Sequence, residues 1–470
     1  MLRSFKKKKK NIILIGVGAL SFFTSAPRYY FILMFFMISF LYQEIFKSKR
    51  LFNTFKIALA FGYGYYLSLT YWTVFSALED YRFLFIIPIG LIILPLYLSL
   101  FLSVCLSCFY IIQKNIKNEI IKAILFAIFW ILHEKLREFI LIPFPWWPIS
   151  MTLLNINEWI QIISIIGIDL FGFFAILLYL LPSIAIAKIN HFWKTCFILC
   201  IISLHLGFIY YGYNRIKNAE KFHLPFNIIA VQPNYTQITS SDDYQFTLRK
   251  HYFDTKDLLK NLKTSSLVVW SETSIPYRIN PSNLEKHQKE YFNDIKKMLK
   301  PNDKIIFGAH NVQKNTNAMF LLNKNGIANN YDKINLVPFG EYVPILGRFD
   351  IFKNSELGKF VGGFESGEFR KIWKINDFSV VPLICYEIIF DHDVKKMKPE
   401  LIVNISNDGW FGNTIGPDQH FAHAKISAIK NNSPLIRVAN KGKSALFDKY
   451  GRIINHIEKN KDDAKMLYRN

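Results

Sequence analysis

Three residues in the second half of the chain have side chains suited to acyl transfer. Cys385 follows the apolar run Ser379–Ile384 and is the only cysteine after residue 217. Glu272 follows a second apolar run, Ser266–Trp270, and Lys333 lies between the two in sequence. Taken singly, each has an ordinary structural explanation: helix capping for the glutamate, surface charge for the lysine and packing for the cysteine. Taken together, they could form a catalytic group with a cysteine nucleophile.

The chemistry of this group follows from what a thiol needs. A cysteine with a pKa near about 8.5 is only partly thiolate at neutral pH, so Glu272 could accept its proton as a general base. Lys333 could favour the thiolate and later stabilise the oxyanion of a tetrahedral intermediate. The backbone N–H of Tyr386, which follows the nucleophile, could be a second oxyanion donor. The residues therefore indicate acyl transfer through Cys385.

Apolar runs alternate with polar helical stretches after residue 217, which predicts an α/β domain with helices on the faces of its sheets. The predicted strands are Asn227–Val231, Ser266–Trp270, Lys304–Gly308, Ala318–Leu322, Ser379–Ile384, Leu401–Ile405, Leu435–Val438 and Ser444–Phe447. The predicted helices are Tyr244–Leu262, Leu284–Leu299 and Pro417–Lys430. Glu272 and Cys385 then lie at the carboxyl ends of strands, where open α/β sheets usually carry their sites.

The first half of the chain has a different composition. Residues 1–216 are mostly apolar runs, and about 20 such residues are enough to cross a bilayer as a helix. We therefore predict a membrane domain over residues 1–216 and a catalytic domain over residues 217–470. Seven spans are predicted: Asn11–Ala26, Phe31–Phe46, Phe55–Leu78, Phe83–Ile112, Ala123–Ile142, Trp159–Ala187 and Thr195–Tyr213.

The charges of the loops predict the orientation of these spans. Basic residues precede the first run and follow the second, fourth and sixth: Lys7 to Lys10, Lys47, Lys49, Arg50, Lys56, Lys114, Lys117, Lys122, Lys188 and Lys194. Alternate loops carry Glu79 and Asp80 or the aromatic stretch Phe144-Pro145-Trp146-Trp147. The positive-inside rule then places the N-terminus in the cytoplasm and the catalytic half in the periplasm. A cleaved signal peptide in place of the first span is an alternative, and it leaves the catalytic half on the same side.

The formal net charge of +22 is also explained by loops that face the cytoplasm. The lysines of the chain are scattered and accompany no nucleic-acid-binding motif, and many lie in loops of this kind. We therefore predict a membrane protein with no nucleic-acid partner. The four cysteines of the first half lie inside apolar runs and are expected to be small packed side chains: Cys105, Cys108, Cys196 and Cys200.

Glu134 and Arg137 are ionisable residues at the end of the fifth predicted span. Charged groups at membrane depth are candidates for function. A pair of opposite charges one helical turn apart could instead be self-neutralising at the interface, and the sequence leaves both interpretations open.

The segments that contain these residues resemble a known family. The order Glu…Lys…Cys is similar to that of the nitrilase superfamily. Within it, the segments WSETSIP, YDKINLVPFGEYVP, ICYEIIF, NISNDGWFG and GPDQHFAHAKISAIKNNSPLIRVANKGKSALFD resemble apolipoprotein N-acyltransferases. The first half resembles the same family through FGYGYYLSLTYW, the FPW stretch and IQIISIIGIDLFGFF.

The resemblance implies a nitrilase-like αββα sandwich behind the membrane domain, with Glu272, Lys333 and Cys385 as catalytic triad. Glu341 would hold or polarise the lysine site, and Tyr386 and Glu387 would lie beside the nucleophile in a loop over the pocket. Two further segments would line the route of acyl chains: Trp410-Phe411 and the apolar part of Leu336–Leu346.

The implied reaction transfers a fatty acyl group from a membrane phospholipid, through a cysteine thioester, to the N-terminal amine of a diacylglyceryl-cysteine lipoprotein. The implied location is the cell inner membrane, with the catalytic domain on the periplasmic side, and no metal or organic cofactor is implied. A membrane-tethered amidase acting on a small soluble amide is the first alternative. A transporter or scaffold is the second, although the intact Glu–Lys–Cys set argues against it.

The sequence departs from the family pattern at three points, one of which is a tryptophan that the resemblance implies after Gln232 and that has no counterpart there. The resemblance implies one more span after the catalytic domain, whereas the chain stops at Asn470 in a polar stretch. It also implies an acidic residue where Lys430 stands, a position that we expect to be structural.

Overall fold

A computed structural model of the protein describes residues 2–79, 84, 86–235, 241–344 and 363–470. The chain forms two compact units. The first contains Met1–Ala219 and Asn413–Ala422, and the second contains Glu220–Gly412 and His423–Asn470. The sequence prediction placed the boundary at residues 216/217, and the structure divides the chain between residues 219 and 220.

The first unit is helical in every described part of regular structure. Its α-helices are Leu2–Ala19 (α1), Ser21–Thr24 (α2), Ile32–Phe46 (α3), Leu51–Thr70 (α4), Phe75–Glu79 (α5), Ile86–Pro88 (α6), Leu94–Gln113 (α7), Glu119–Phe139 (α8), Asn157–Ile160 (α9), Ile163–Tyr179 (α10), Leu181–Ile186 (α11) and His191–Lys217 (α12). Short 3₁₀ turns cover Tyr71–Val74 and Ile149–Leu153, and a π-helical stretch, Ile89–Ile93, leads into α7.

Close helix packing in this unit depends on glycine. A Cβ atom on Gly18 of α1 would lie 2.1 Å from the carbonyl oxygen of Phe61, and one on Gly64 of α4 would lie 2.0 Å from that of Ile15. Neither position can accept a side chain without moving the partner backbone. Small residues at a helix crossing are typical of membrane helices, because close packing holds them together where the hydrophobic effect does not.

Three helices in the described part of the chain are long and apolar enough to cross a membrane: Ile89–Gln113, Ile163–Ile186 and His191–Lys217. The last has most of its surface exposed, with Ile202, Leu206 and Tyr210 among its exposed apolar side chains. Lipid contact explains this exposure better than water does. The other four predicted spans also fall largely on helices, although Asp80, Phe83 and other residues between α5 and α6 lie outside the described residues.

Glu134 and Arg137 are buried, with 7% and 1% of their surfaces exposed. Glu134 accepts hydrogen bonds from the indole of Trp130 and the backbone N–H of Ile149, and Arg137 donates to the carbonyl of Trp146. Each of these two side chains therefore has hydrogen-bond partners other than its neighbour in the pair. Both residues hold the aromatic segment that follows α8.

Residues 413–422 join this helical unit through Gln419. Its side-chain oxygen accepts hydrogen bonds from the indole N–H groups of Trp72, at 3.0 Å, and Trp146, at 2.7 Å. The side chain of Gln419 is fully buried. A segment that is distant in sequence is thus held by the aromatic residues of the first unit.

The second unit is built on two β-sheets. The strands are Asn227–Gln232 (β1), Ser266–Trp270 (β2), Arg278–Ile279 (β3), Lys304–Asn311 (β4), Thr316–Asn323 (β5), Gly326–Asp332 (β6), Trp373–Ile375 (β7), Phe378–Ile384 (β8), Leu401–Asn407 (β9), Leu435–Asn440 (β10), Ser444–Phe447 (β11), Ile453–Ile457 (β12) and Asp463–Tyr468 (β13). The helices are Ser241–Leu259 (α13), Lys286–Met298 (α14), Val394–Met397 (α15) and the part of Gly416–Asn431 (α16) after Ala422.

The first sheet has the order β13-β1-β2-β4-β5-β6, with β3 paired to β4, and the second has the order β12-β11-β10-β9-β8-β7. The central neighbours of each sheet are parallel: β1 with β2, β2 with β4, β8 with β9 and β9 with β10. The outer pairs are antiparallel. All eight predicted strands are present.

The core lies between the two sheets and under one helical layer. Alternate residues of both sheets, such as Val269 and Val403, form the inter-sheet cluster. The opposite face of the first sheet packs against α13 and α14, with Leu248 and Phe292 in that cluster. The parallel strands β9 and β10 are connected through α16. Because side chains fill the space between the two sheets, this helix must lie on the outer face of the second sheet. These layers follow the order helix, sheet, sheet, helix.

Candidate active site

The first sheet brings three polar side chains to one edge. Glu272 lies two residues after β2, and Lys333 directly follows β6. The strand β6 runs in the direction of β2 and β4, because β5 is antiparallel to both of its neighbours. Asn317, near the start of β5, therefore reaches the same edge, and its carbonyl accepts the backbone N–H of Lys333 at 2.8 Å.

The second sheet presents Cys385 at the end of β8. Ile384 pairs with Ile405 of the parallel strand β9, so Cys385 and Ser406 lie side by side. The φ angle of Cys385 is +51°, in a left-handed region that non-glycine residues seldom adopt. Strain of this kind persists where surrounding contacts impose it, most often at functional sites.

Lys333 forms the centre of a buried charged cluster. Its ammonium group lies 2.8 Å from Oε1 of Glu341 and 3.4 Å from Oε1 of Glu272, and only 1% of its surface is exposed. The second oxygen of Glu341 accepts the backbone N–H of Val337 at 2.7 Å. The cluster contains two carboxylates and one ammonium, so its remaining charge is negative when all three are ionised.

Asn317 completes this cluster, and the sequence analysis did not identify it. Its side-chain nitrogen donates to Oε1 of Glu272 and Oε1 of Glu341, each at 2.8 Å. Both N–H groups of the amide are thereby used. The other oxygen of Glu272 accepts the backbone N–H of Asn407 at 2.8 Å. Glu272 is therefore held from both sides in a fixed orientation.

A glycine in β4 makes room for the Glu272 backbone. A Cβ atom on Gly308 would lie 2.7 Å from the backbone nitrogen of Thr273 and 2.9 Å from the Cα of Glu272. Any side chain at this position would push the chain that carries Glu272 away from the sheet.

Burial and neighbouring charges together set the protonation states of the sulfur and the lysine. Burial raises the pKa of the Cys385 thiol far above its usual value, and the charge of Glu272 raises it further, while Lys333 opposes both. For Lys333, burial opposes the charge, but Glu341 and Glu272 outweigh it and raise its pKa. At neutral pH the resting group therefore contains a protonated thiol and a charged ammonium.

A second polar network lies beside the sulfur. The hydroxyl oxygen of Ser406 is 3.4 Å from Sγ of Cys385 and 2.8 Å from Oδ1 of Asp408. One guanidinium nitrogen of Arg437 lies 2.8 Å from each oxygen of Asp408, and both side chains are fully buried in this ion pair. Ser406 and Asp408 stand in the NISNDG segment, directly after the predicted strand Leu401–Ile405.

Tyr386 and Glu387 lie beside the nucleophile in a buried 3₁₀ turn, Cys385–Ile389. The hydrogen bonds of Glu387 hold this turn. Its carboxylate accepts the backbone N–H groups of Ile384 and Ile334, at 2.7 and 2.8 Å, and the hydroxyl of Tyr331. Burial raises the pKa of Glu387. Glu387 thus braces the turn that carries the nucleophile against the chain that carries Lys333.

Lys430 has a structural contact, as expected. Its ammonium pairs with the carboxylate of Asp391, which also accepts hydrogen bonds from Ser427 and Asn431. Burial raises the pKa of Asp391, but Lys430 and these hydrogen bonds outweigh it and lower the pKa. The pair fastens α16 to the segment after the nucleophile turn.

The expected acyl-route residues are only partly described. Trp410 is exposed, Phe411 is half-buried, and Leu336 and Val337 are half-buried next to the Lys333 loop. Ile345 and Leu346 lie outside the described residues. Among the residues that the structure describes, no group of three or more His, Cys, Asp or Glu side chains could hold a metal ion.

The layer order and the residues at the strand ends define the second unit as a nitrilase-like, carbon–nitrogen hydrolase domain. The carbon-nitrogen hydrolase family model matches residues 234–467, and the model of the apolipoprotein N-acyltransferase N-terminal domain matches residues 17–181. Among solved structures, Saccharomyces cerevisiae Nit3, a member of branch 10 of the nitrilase superfamily, is similar over 51% of this chain and 88% of its own, with 14% identity and a TM-score of 0.39.

Relatives are similar along both halves of the chain. The apolipoprotein N-acyltransferase of Rickettsia prowazekii is 30% identical over 96% of this chain and 90% of its own length. That of Brucella melitensis is 30% identical over 87% of this chain and 78% of its own. The chain belongs to the apolipoprotein N-acyltransferase family, and it is an acyltransferase embedded in a membrane.

Proposed function

We propose that this protein transfers a fatty acyl group from a membrane phospholipid to the N-terminal amine of a diacylglyceryl-cysteine on a lipoprotein. The observation that carries the proposal is the buried cluster of Lys333, Glu272 and Glu341 at the strand ends next to Cys385. Family models that match both halves of the chain support it, as do the names of the relatives.

In the first step, Cys385 attacks the carbonyl carbon of the phospholipid ester. Because the resting thiol is protonated, its proton passes to Glu272 as the S–C bond forms. Lys333 and the backbone N–H of Tyr386 stabilise the oxyanion of the tetrahedral intermediate. The ester C–O bond then breaks, and the departing alkoxide takes the proton from Glu272 to leave as lysophospholipid.

In the second step, the lipoprotein amine attacks the thioester. Glu272 removes a proton from the amine, the C–N bond forms and the S–C bond breaks. The sulfur leaves as a thiolate and recovers its proton from Glu272. Glu341 keeps Lys333 in place through both steps, and no metal or organic cofactor takes part.

A membrane domain suits substrates of this kind. Both are amphiphiles, and each methylene that an acyl chain exposes to water costs about 0.8 kcal/mol. We propose that the seven predicted runs embed residues 1–216 in the cell inner membrane. In the part of the chain that the structure describes, three of these runs form helices that are both long and apolar enough to cross it. Acyl chains then reach Cys385 laterally from the bilayer, past Trp410 and Leu336, and residues 217–470 lie on the periplasmic side.

The topology can be tested with a reporter that fluoresces only in the cytoplasm. A fusion after Asn470 is expected to be dark, because seven spans starting from a cytoplasmic N-terminus end outside. An insertion after Lys117, in a loop predicted to be cytoplasmic, is the matched control and should be bright. A bright fusion after Asn470 would contradict the seven-span topology.

A membrane-tethered amidase would use the same catalytic residues, so the acceptor distinguishes the two functions. The purified full chain, in detergent micelles with phospholipid and a synthetic diacylated lipopeptide, is expected to add the mass of one acyl chain to the peptide. Cys385→Ala is the control and should add nothing. An unchanged lipopeptide, together with ammonia release from small amides, would replace the acyltransferase with the amidase.

A further inference from the structure

The hydroxyl of Ser406 lies within reach of two hydrogen-bond acceptors at the site. Its hydroxyl oxygen lies 3.4 Å from Sγ of Cys385 and 2.8 Å from Oδ1 of Asp408. A hydroxyl has a single proton, so it can donate to only one of them at a time. The side chain is fully buried, so its hydroxyl can donate only to protein neighbours.

Charge decides which acceptor receives the proton. While Cys385 is a neutral thiol, the carboxylate of Asp408 is the stronger and nearer acceptor. When the sulfur becomes negative, it competes for the same proton. Asp408 can release Ser406 without becoming a buried isolated charge, because both of its oxygens keep their 2.8 Å contacts to Arg437.

Charged groups near the sulfur act on its negative charge in opposite directions. Glu272 and Asp408 disfavour the thiolate, and Lys333 favours it. Lys333 is shared with two carboxylates. A neutral donor aimed at the sulfur would therefore have a large effect in this buried site.

We propose that Ser406 is a further catalytic residue, whose hydroxyl turns from Asp408 to Cys385 whenever the sulfur carries negative charge. This inference rests on the proposed function, in which Cys385 becomes a thioester. In acylation the thiol proton goes to Glu272, and in transfer the S–C bond electrons return to sulfur. Ser406 keeps its own proton throughout and stabilises both anionic states.

The test compares Ser406→Ala with the wild-type chain in two measurements on the intact protein in micelles. One is the rate at which Cys385 gains an acyl mass from phospholipid in a single turnover. The other is the rate of iodoacetamide alkylation of the Cys385 peptide against pH. Peptide mapping is needed because Cys108, Cys196 and Cys200 are exposed, so the expectation that they are packed side chains is wrong.

Ser406→Ala is expected to acylate roughly tenfold to a hundredfold more slowly, the loss typical of one hydrogen bond to a charged atom. Its alkylation curve should lie about one to two pH units higher. Ser406→Thr keeps the hydroxyl and should recover most of both properties. Ser379→Ala, at the other end of β8, removes a hydroxyl bonded to Glu400 instead and should match the wild type.

The outcomes distinguish a failure of the role of Ser406 from a failure of the proposed function. Wild-type acylation and an unmoved alkylation curve in Ser406→Ala would overturn the role of Ser406. If the wild type forms no acyl adduct, the proposed function fails, while the alkylation curve still decides whether Ser406 stabilises the thiolate. Thermal unfolding of each variant shows whether a lower acylation rate is caused by misfolding. If Ser406→Ala does not fold, Ser406→Gly is a second variant without the hydroxyl.

Discussion

Replacement of Lys333 by arginine is expected to slow acyl transfer roughly 10²–10³-fold, the usual effect of losing one oxyanion-stabilising group. The positive charge remains in this variant, so the loss would come from geometry. The ammonium lies 2.8 Å from Glu341 and 3.4 Å from Glu272, in a site with 1% exposure. A planar guanidinium is too wide to replace a compact ammonium there.

Lys314→Arg is the matched control for this substitution. Lys314 also pairs with a carboxylate, Asp332, at 3.2 Å, but 55% of its side chain is exposed. Surface pairs of this kind contribute little, so the control should transfer acyl groups at the wild-type rate. Activity of Lys333→Arg within a few-fold of wild type, measured by lipopeptide mass, would place Lys333 outside the catalytic centre.

Two of the catalytic candidates, Glu272 and Cys385, could be predicted from the sequence because each follows a short, recognisable strand, whereas Lys333 follows β6, which the sequence did not predict. Glu272 and Cys385 follow buried parallel strands, whose continuous apolar runs mark them clearly. The carboxyl ends of parallel strands are where α/β domains usually carry their sites. The structure brings Glu272, Lys333 and Glu341 into direct contact at one edge of the first sheet.

The strands that the sequence did not predict are short or lie at the sheet edges. The edge strand β6, Gly326–Asp332, contains Asn329, Asn330 and Asp332, and only its last two residues are buried. The edge strands β7, β12 and β13 have the same partial exposure, and β3 has only two residues. A strand that is covered on one side needs no continuous apolar run, so its sequence resembles that of a loop.

The supporting polar residues could not be predicted for a different reason. Asn317 reaches carboxylates that are 45 and 24 residues away in sequence, and Ser406 contacts a sulfur 21 residues away. Such contacts depend on strand order and register, which no local pattern specifies. For Asn317 and Ser406, the local signal in the sequence was a polar residue at the end of an apolar run that lies nearest the site.

The account depends on a covalent intermediate, and the wild-type chain given phospholipid alone is expected to acquire it. The first step of a two-step reaction should proceed without the acceptor and leave one acyl group on Cys385. Cys385→Ala should gain no mass. Glu272→Gln should gain it roughly 10²–10⁴-fold more slowly, because the amide keeps the shape of Glu272 but cannot accept the thiol proton.

Intact-protein mass spectrometry of the wild-type chain after incubation with phospholipid is therefore the most direct measurement. The account predicts an increase by one acyl chain that maps to Cys385, reverses with neutral hydroxylamine as a thioester should, and passes to a diacylated lipopeptide when that peptide is added. A wild-type chain that gains no mass on Cys385 and releases no lysophospholipid would contradict it.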